Sequence, residues 1–133
     1  MLLNLFPNEH AASKIILSNR TKEKAEGLKN SFSNLEIVDW GITPNFDMII
    51  NTTSLGLKNT DKIKLNYDDI GSNKLFYDLI YNPMETDFLK RAKLSGNKIE
   101  NGKMMFIYQA HQSFTIWHKL MPNIDEETIS LLD

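Results

Sequence analysis

The sequence contains no cysteine, which excludes a disulfide framework and any thiolate metal site and suits a reducing compartment such as the cytosol. Nor is there an excess of positive charge. Lys and Arg number 15 against 17 Asp and Glu, for a net charge of −2, so no overall basic field draws nucleic acid or an anionic membrane. No run approaches the roughly 18 apolar residues of a membrane span. The opening stretch, Met1-Leu2-Leu3-Asn4-Leu5-Phe6-Pro7, is apolar but has no basic region before it and meets Pro7 and Glu9 early; a signal peptide is not expected. Repeats and low-complexity tracts are missing too. The glycines fall at 27, 41, 56, 71, 96 and 102, so the G-x-G-x-x-G loop that cradles a pyrophosphate is absent. No Walker loop or Ser/His/Asp set is present, and His10, His111 and His118 show no metal-ligand spacing.

What is present reads as one α/β domain by length. Lys14-Ile15-Ile16-Leu17-Ser18 is a short strand, and Thr21 is placed to cap a helix that carries Ala25, Leu28 and Phe32 on one face. Leu35–Val38 alternates as an edge strand would. Asp47–Asn51 is a further apolar strand, closed by the polar turn Thr52-Thr53-Ser54-Leu55-Gly56. After a polar loop with a helical turn near Asp68-Asp69-Ile70, Phe76-Tyr77-Asp78-Leu79-Ile80-Tyr81 runs as a buried strand and stops at Asn82-Pro83. Thr86 then caps a helix bearing Phe88, Leu89 and Ala92, with Gly96 as its left-handed stop. Lys98-Ile99-Glu100 is a short strand before the Asn101-Gly102 turn. From Lys103 to Met121, Ile107, Ala110, Phe114, Trp117 and Met121 recur at spacings of three and four, predicting a long helix that buries one face and is ended by Pro122. Asp125 caps a short last helix. Strands alternating with helices predict a doubly wound, mainly parallel sheet with helices on both faces.

In open α/β sheets the ligand crevice lies beyond the carboxyl ends of the strands. Three sets of residues fall there. Asn19, Arg20 and Thr21 follow the first strand, where an arginine suits the 2′-phosphate of NADP and an acidic residue would suit NAD; a solvated helix start is the other reading. Thr52, Thr53 and Ser54 offer hydroxyls and N–H groups to a cofactor, although turn-forming or capping roles explain them equally. Tyr81 and Asn82 stand on the rim, where the phenol faces either a ligand or the core. Met105 and Gln109 lie one turn apart on a face beside the long helix's apolar stripe.

Taken together, Asn19-Arg20-Thr21, Asn51-Thr52-Thr53-Ser54-Leu55-Gly56, Tyr77-Asp78-Leu79-Ile80-Tyr81-Asn82-Pro83 and Asn101-Gly102 with Tyr108-Gln109 resemble, in the same order, the C-terminal NADP-binding domain of shikimate dehydrogenase. The resemblance covers roughly residues 11–125. It implies an adenosine 2′-phosphate site at Asn19, Arg20 and Thr21, a segment along the cofactor at Thr52, Thr53 and Ser54, and positions beside the nicotinamide at Leu79, Gly102 and Met105. Tyr81 and Gln109 would be the substrate contacts. The implied reaction is the reversible, NADP-dependent reduction of 3-dehydroshikimate to shikimate in aromatic amino-acid biosynthesis.

The departures from the family set further expectations. The family's catalytic lysine and aspartate lie in an N-terminal substrate domain with no match here, so no catalytic residue is expected in this chain. Shikimate or 3-dehydroshikimate would bind only if a substrate domain were supplied. Residues 1–10 match nothing, and residues 11–133 resemble a Rossmann-like domain made incomplete by the lack of its first strand and glycine-rich loop. Such a loss would leave sheet edges and apolar faces open, a route to homo-oligomers or to pairing through an exposed edge. The alternative is a non-catalytic nucleotide-binding or partner-binding remnant. No metal is expected, and the cytoplasm is the expected location.

Overall fold

The computed structural model describes residues 14–32, 34–58 and 60–132; the readings of residues 1–10 lie outside them. The chain divides into two compact units, Met1–Ile42 and Thr43–Asp133.

In the first unit, β1 (Ile15–Ser18) pairs in parallel with β2 (Leu35–Val38), Ile15 opposite Leu35 and Ser18 opposite Val38. Between them lies α1 (Lys22–Glu26), which buries Ala25. Thr21 stands at the expected N-cap position, but its side chain makes no capping hydrogen bond. The expected apolar face of this helix also stops short, since Leu28 is exposed. Past Gly27 the backbone bonds tighten from four residues back to three, as in Leu28 N–H to Ala25 C=O and Lys29 N–H to Glu26 C=O. That tightening turns Leu28 off the stripe, while Phe32 stays half-buried.

In the second unit, β3 (Met48–Asn51), β4 (Leu75–Asp78) and β5 (Lys98–Glu100) form a parallel sheet in the order β3-β4-β5. The α/β architecture with parallel strands expected from the sequence is therefore present. Central β4 carries the core. Phe76 is fully buried among Tyr67 and Ile70 of α2 (Tyr67–Ile70) and Phe88, Leu89 and Ala92 of α3 (Asp87–Leu94). Its ring lies 5.2 Å from Phe88, 6.1 Å from Tyr67 and 5.7 Å edge-on from Phe46. Burying a phenylalanine of this kind contributes about 2–3 kcal/mol. Tyr67 keeps its polar end satisfied. Its hydroxyl donates to the Phe88 carbonyl at 3.4 Å, and the Arg91 guanidinium sits 4.2 Å over its ring. Burial pushes this phenol up to about 12, against a smaller downward pull from Arg91.

Helix α3 begins as predicted, with the Thr86 hydroxyl accepting from the Leu89 N–H, and the chain turns at Gly96 with φ of +75°. Helix α4 (Lys103–His118) does not behave as its pattern predicts. Ile107 is buried at 6% exposure, but Phe114, Trp117 (76% exposed) and Met121 are open, as is Ala110. Only the start of α4 is held against the rest of the unit, because its second half meets no packing layer among the described residues. The helix also ends at His118, four residues ahead of Pro122, with Lys119 left-handed, and His111 Nε2 meets the Pro122 carbonyl at 2.9 Å. Asp125 caps α5 (Glu126–Ser130), and its bonds from the Thr128 hydroxyl and N–H hold its carboxyl below the ordinary range.

Candidate functional site

The first unit sets Asn19, Arg20 and Thr21 directly after β1. Asn19 Nδ2 donates to the Thr21 carbonyl at 3.0 Å and shapes the turn. Arg20 is exposed and makes no hydrogen bond or ion pair with another described residue. Lys22 is committed instead. Its ammonium bonds Asp39 Oδ1 at 2.7 Å, and that hydrogen bond, with the attraction of the same carboxylate, raises its pKa. The Asp39 charge is thereby matched locally, which leaves the Arg20 guanidinium available to an anion. A guanidinium binds phosphate through two parallel N–H donors.

In the second unit, parallel β3 and β4 bring their carboxyl ends to one edge, with Asn51 opposite Asp78. Both are buried, and both were missed as site-building residues. Asn51 Nδ2 donates to Asp78 Oδ1 at 3.0 Å and to the Leu55 carbonyl at 3.0 Å. Its Oδ1 accepts the Thr53 N–H at 3.0 Å and the Thr53 hydroxyl at 2.8 Å. Asp78 also accepts the Ile80 N–H at 3.1 Å and the Thr86 hydroxyl at 2.6 Å. A signal was available in the sequence: Asp78 follows Phe76 by two, so it must share the buried side of β4. An aspartate there needs partners.

This network decides which hydroxyls are free. Thr53 spends its own inside the turn, donating to Asn51 and accepting from the Leu55 N–H at 3.1 Å. Thr52 and Ser54 are exposed. Leu79 and Gly102, each expected beside the nicotinamide, touch one another. A Cβ on Gly102 would lie 2.0 Å from the Leu79 carbonyl oxygen, so only glycine fits where α4 begins. The Gly102 N–H reaches the Ile80 carbonyl at 3.3 Å. Tyr81 follows, half-buried, its ring stacked 4.7 Å from Phe106. Met105 precedes Phe106, and Gln109 lies one turn beyond it, exposed. The structure thus brings Leu79, Gly102 and Tyr81 together beside the first turns of α4, with Met105 and Gln109 on that helix. Tyr77 lies back along β4, where burial and then Glu100 raise its phenol. The Asn82–Pro83 bond beyond Tyr81 is cis.

A surface cavity of about 370 Å³ lies elsewhere on this unit, lined by Met84, Glu85, Leu89, Ile99, Glu100 and Asn101. It holds none of the predicted residues, and its two carboxylates make it unsuited to phosphate. Among the described residues no cluster of metal-ligating side chains occurs, and no helix is long and apolar enough to cross a membrane.

No protein-family model matches the chain. A curated shikimate dehydrogenase (NADP(+)) from Pelagibacter ubique is 60% identical over 120 residues, covering 90% of this chain and 45% of the relative. The crystal structure of shikimate dehydrogenase from Aquifex aeolicus superposes with a TM-score of 0.73 at 35% identity, covering 90% of this chain and 44% of that one. Shikimate 5-dehydrogenase from Thermus thermophilus, crystallised with NADP(H) and shikimate, gives a TM-score of 0.74 at 27% identity, with 90% and 44% covered. The chain therefore spans less than half the length of the proteins it matches. By sequence and by fold, nine-tenths of it is similar to shikimate dehydrogenases over less than half of their length, a match consistent with the C-terminal, NADP-binding domain that its motifs resemble.

Proposed function

We propose that residues 11–133 form a partial Rossmann-like domain that binds NADP and acts in the cytoplasm as the nucleotide-binding part of a shikimate dehydrogenase. The reading rests on Arg20, exposed after β1 and unpaired among the described residues, while its neighbour Lys22 is held by Asp39. The residues present fit two parts of the cofactor. Asn19, Arg20 and Thr21 would hold the 2′-phosphate. Thr52 and Ser54 would run along the cofactor on a turn shaped by Thr53, with Leu79, Gly102 and Met105 beside the nicotinamide. No glycine-rich loop is present for the pyrophosphate. NADP, when bound, supplies the hydride acceptor for shikimate, and Tyr81 and Gln109 would position that substrate. The lysine and aspartate of the family's substrate domain have no match in this chain, so the polypeptide alone would not turn over.

A second reading is a non-catalytic nucleotide- or partner-binding chain. It is favoured by the apolar groups left open on β3 and on α4, Met48 and Ile50 with Phe114 and Trp117.

Calorimetric titration with NADP+ and NAD+, beside an Arg20→Ala variant, tests the first reading. Charged phosphate bonds predict that NADP+ binds roughly 10–100-fold more tightly than NAD+, and that Arg20→Ala removes the difference. A folded protein that binds both nucleotides equally, or neither, would overturn it.

A further inference from the structure

Two turns and a helix start meet at a single carboxylate. Asp78 is fully buried at the end of β4. Through Oδ1 it holds Asn51 and the Ile80 N–H, and through Oδ2 it holds the Thr86 hydroxyl. Each partner anchors something else. Asn51 fixes the turn at residues 52–56 by its bonds to Thr53 and Leu55. Ile80 belongs to the segment whose Leu79 carbonyl packs on Gly102. Thr86 caps α3 by accepting from the Leu89 N–H. No buried side-chain polar atom among the described residues lacks a partner, so the network is complete and holds one arrangement.

We propose that Asp78 is a positioning residue that locks the turn 52–56 to the Leu79–Tyr81 segment, so that the two move as one body. On the reading above, which this proposal deepens, these are the parts that face the cofactor and the substrate, and Asp78 sets the spacing between them without touching either. A carboxylate suits the task better than an amide. It can accept from all three donors at once, whereas Asn would present an N–H₂ group to one of them.

The coupling can be read without any ligand, by amide hydrogen exchange across the full chain. Thr86→Val deletes the hydroxyl but keeps Cγ2, the atom that faces Gly56, so packing on the turn survives. Among the described residues, hydrogen bonds join Thr86 to Thr53 and Leu55 only through Asp78 and Asn51. The proposal expects exchange at the Thr53, Leu55 and Ile80 amides to rise about tenfold relative to Lys98, whose N–H bonds Lys74 in the same sheet. Thr86→Ser, which keeps the hydroxyl, should restore all three. Asn51→Ala supplies the converse, loosening Leu89 at the start of α3, should Thr86→Val fail to fold. Change confined to the mutated element, or the same change at Lys98 as at the turn, would overturn the proposal.

A nucleotide arm separates this idea from the one beneath it. Thr86→Val should weaken NADP+ about tenfold while leaving adenosine 2′,5′-bisphosphate, which lacks nicotinamide, unchanged. Equal loss for both ligands would count against Asp78 positioning the nicotinamide end. A wild-type chain that binds neither would sink the NADP reading and leave the coupling to be decided by exchange alone.

Discussion

At Gly102 the backbone of α4 comes so close to the Leu79 carbonyl that the contact admits no side chain. Gly102→Ala should therefore destabilise the second unit by roughly 3 kcal/mol, the upper part of the overpacking range, because the clashing atom is backbone and cannot swing away. Urea unfolding measures this, and a loss near zero would mean that α4 is not held where the structure places it. A second prediction concerns Tyr67. Its folded-state pKa is raised, so the stability it gives is fully present below the unfolded value of 10.0 and is lost as pH climbs toward about 12. Tyr67→Phe should flatten that part of the alkaline limb while changing neutral stability by about 1 kcal/mol at most. Lys22, raised from 10.5 by its hydrogen bond to Asp39, loses its contribution as pH rises beyond that value and would remain in the variant. Arg20 and Tyr81 were singled out because each stands near the end of a strand, and Gln109 because it lies one turn from Met105 beside the apolar stripe of the long helix. Asp78 was not singled out, because a single sequence shows one acid inside an apolar run and hides partners 27 residues before it and 8 after it.

The two longer helices show what periodicity can and cannot carry. Helix α3 was readable end to end because its signals are local: Thr86 reaches Leu89, and Gly96 takes the left-handed turn. The stripe on α4 was equally regular, yet only Ile107 of its five members is buried. Spacing tells which residues share a face, and only a neighbouring layer decides whether that face is dry. Ile107→Ala should accordingly cost about 2–4 kcal/mol in urea unfolding. Trp117→Ala should change stability by less than about 0.5 kcal/mol. Equal losses at the two positions would show that the far half of α4 is packed in solution. Helix α1 failed for a smaller reason: from Leu28 on the backbone bonds tighten to three residues back, and Leu28 is left exposed.

For the molecule as a whole, the parallel strands were predictable from the alternation of strand and helix, while their division between two units was not. The openness of the surface followed less directly. The exposed residues of α4 came only with the structure. Mixing the pure chain with shikimate and NADP+ should give no reduced nicotinamide, since no residue in it matches the family's catalytic lysine or aspartate; measurable turnover would overturn that assignment. The exposure of Trp40 and Trp117 has a practical consequence. The chain has two tryptophans, one in each unit, and both indoles are open to water. Native fluorescence should thus already resemble that of a solvated indole, and an external quencher should reach both. Unfolding would be nearly silent by this signal, whereas anything that settles on the far half of α4 would shift Trp117 emission to the blue. With Trp40→Phe to remove the other emitter, the protein carries its own reporter for whatever covers that helix.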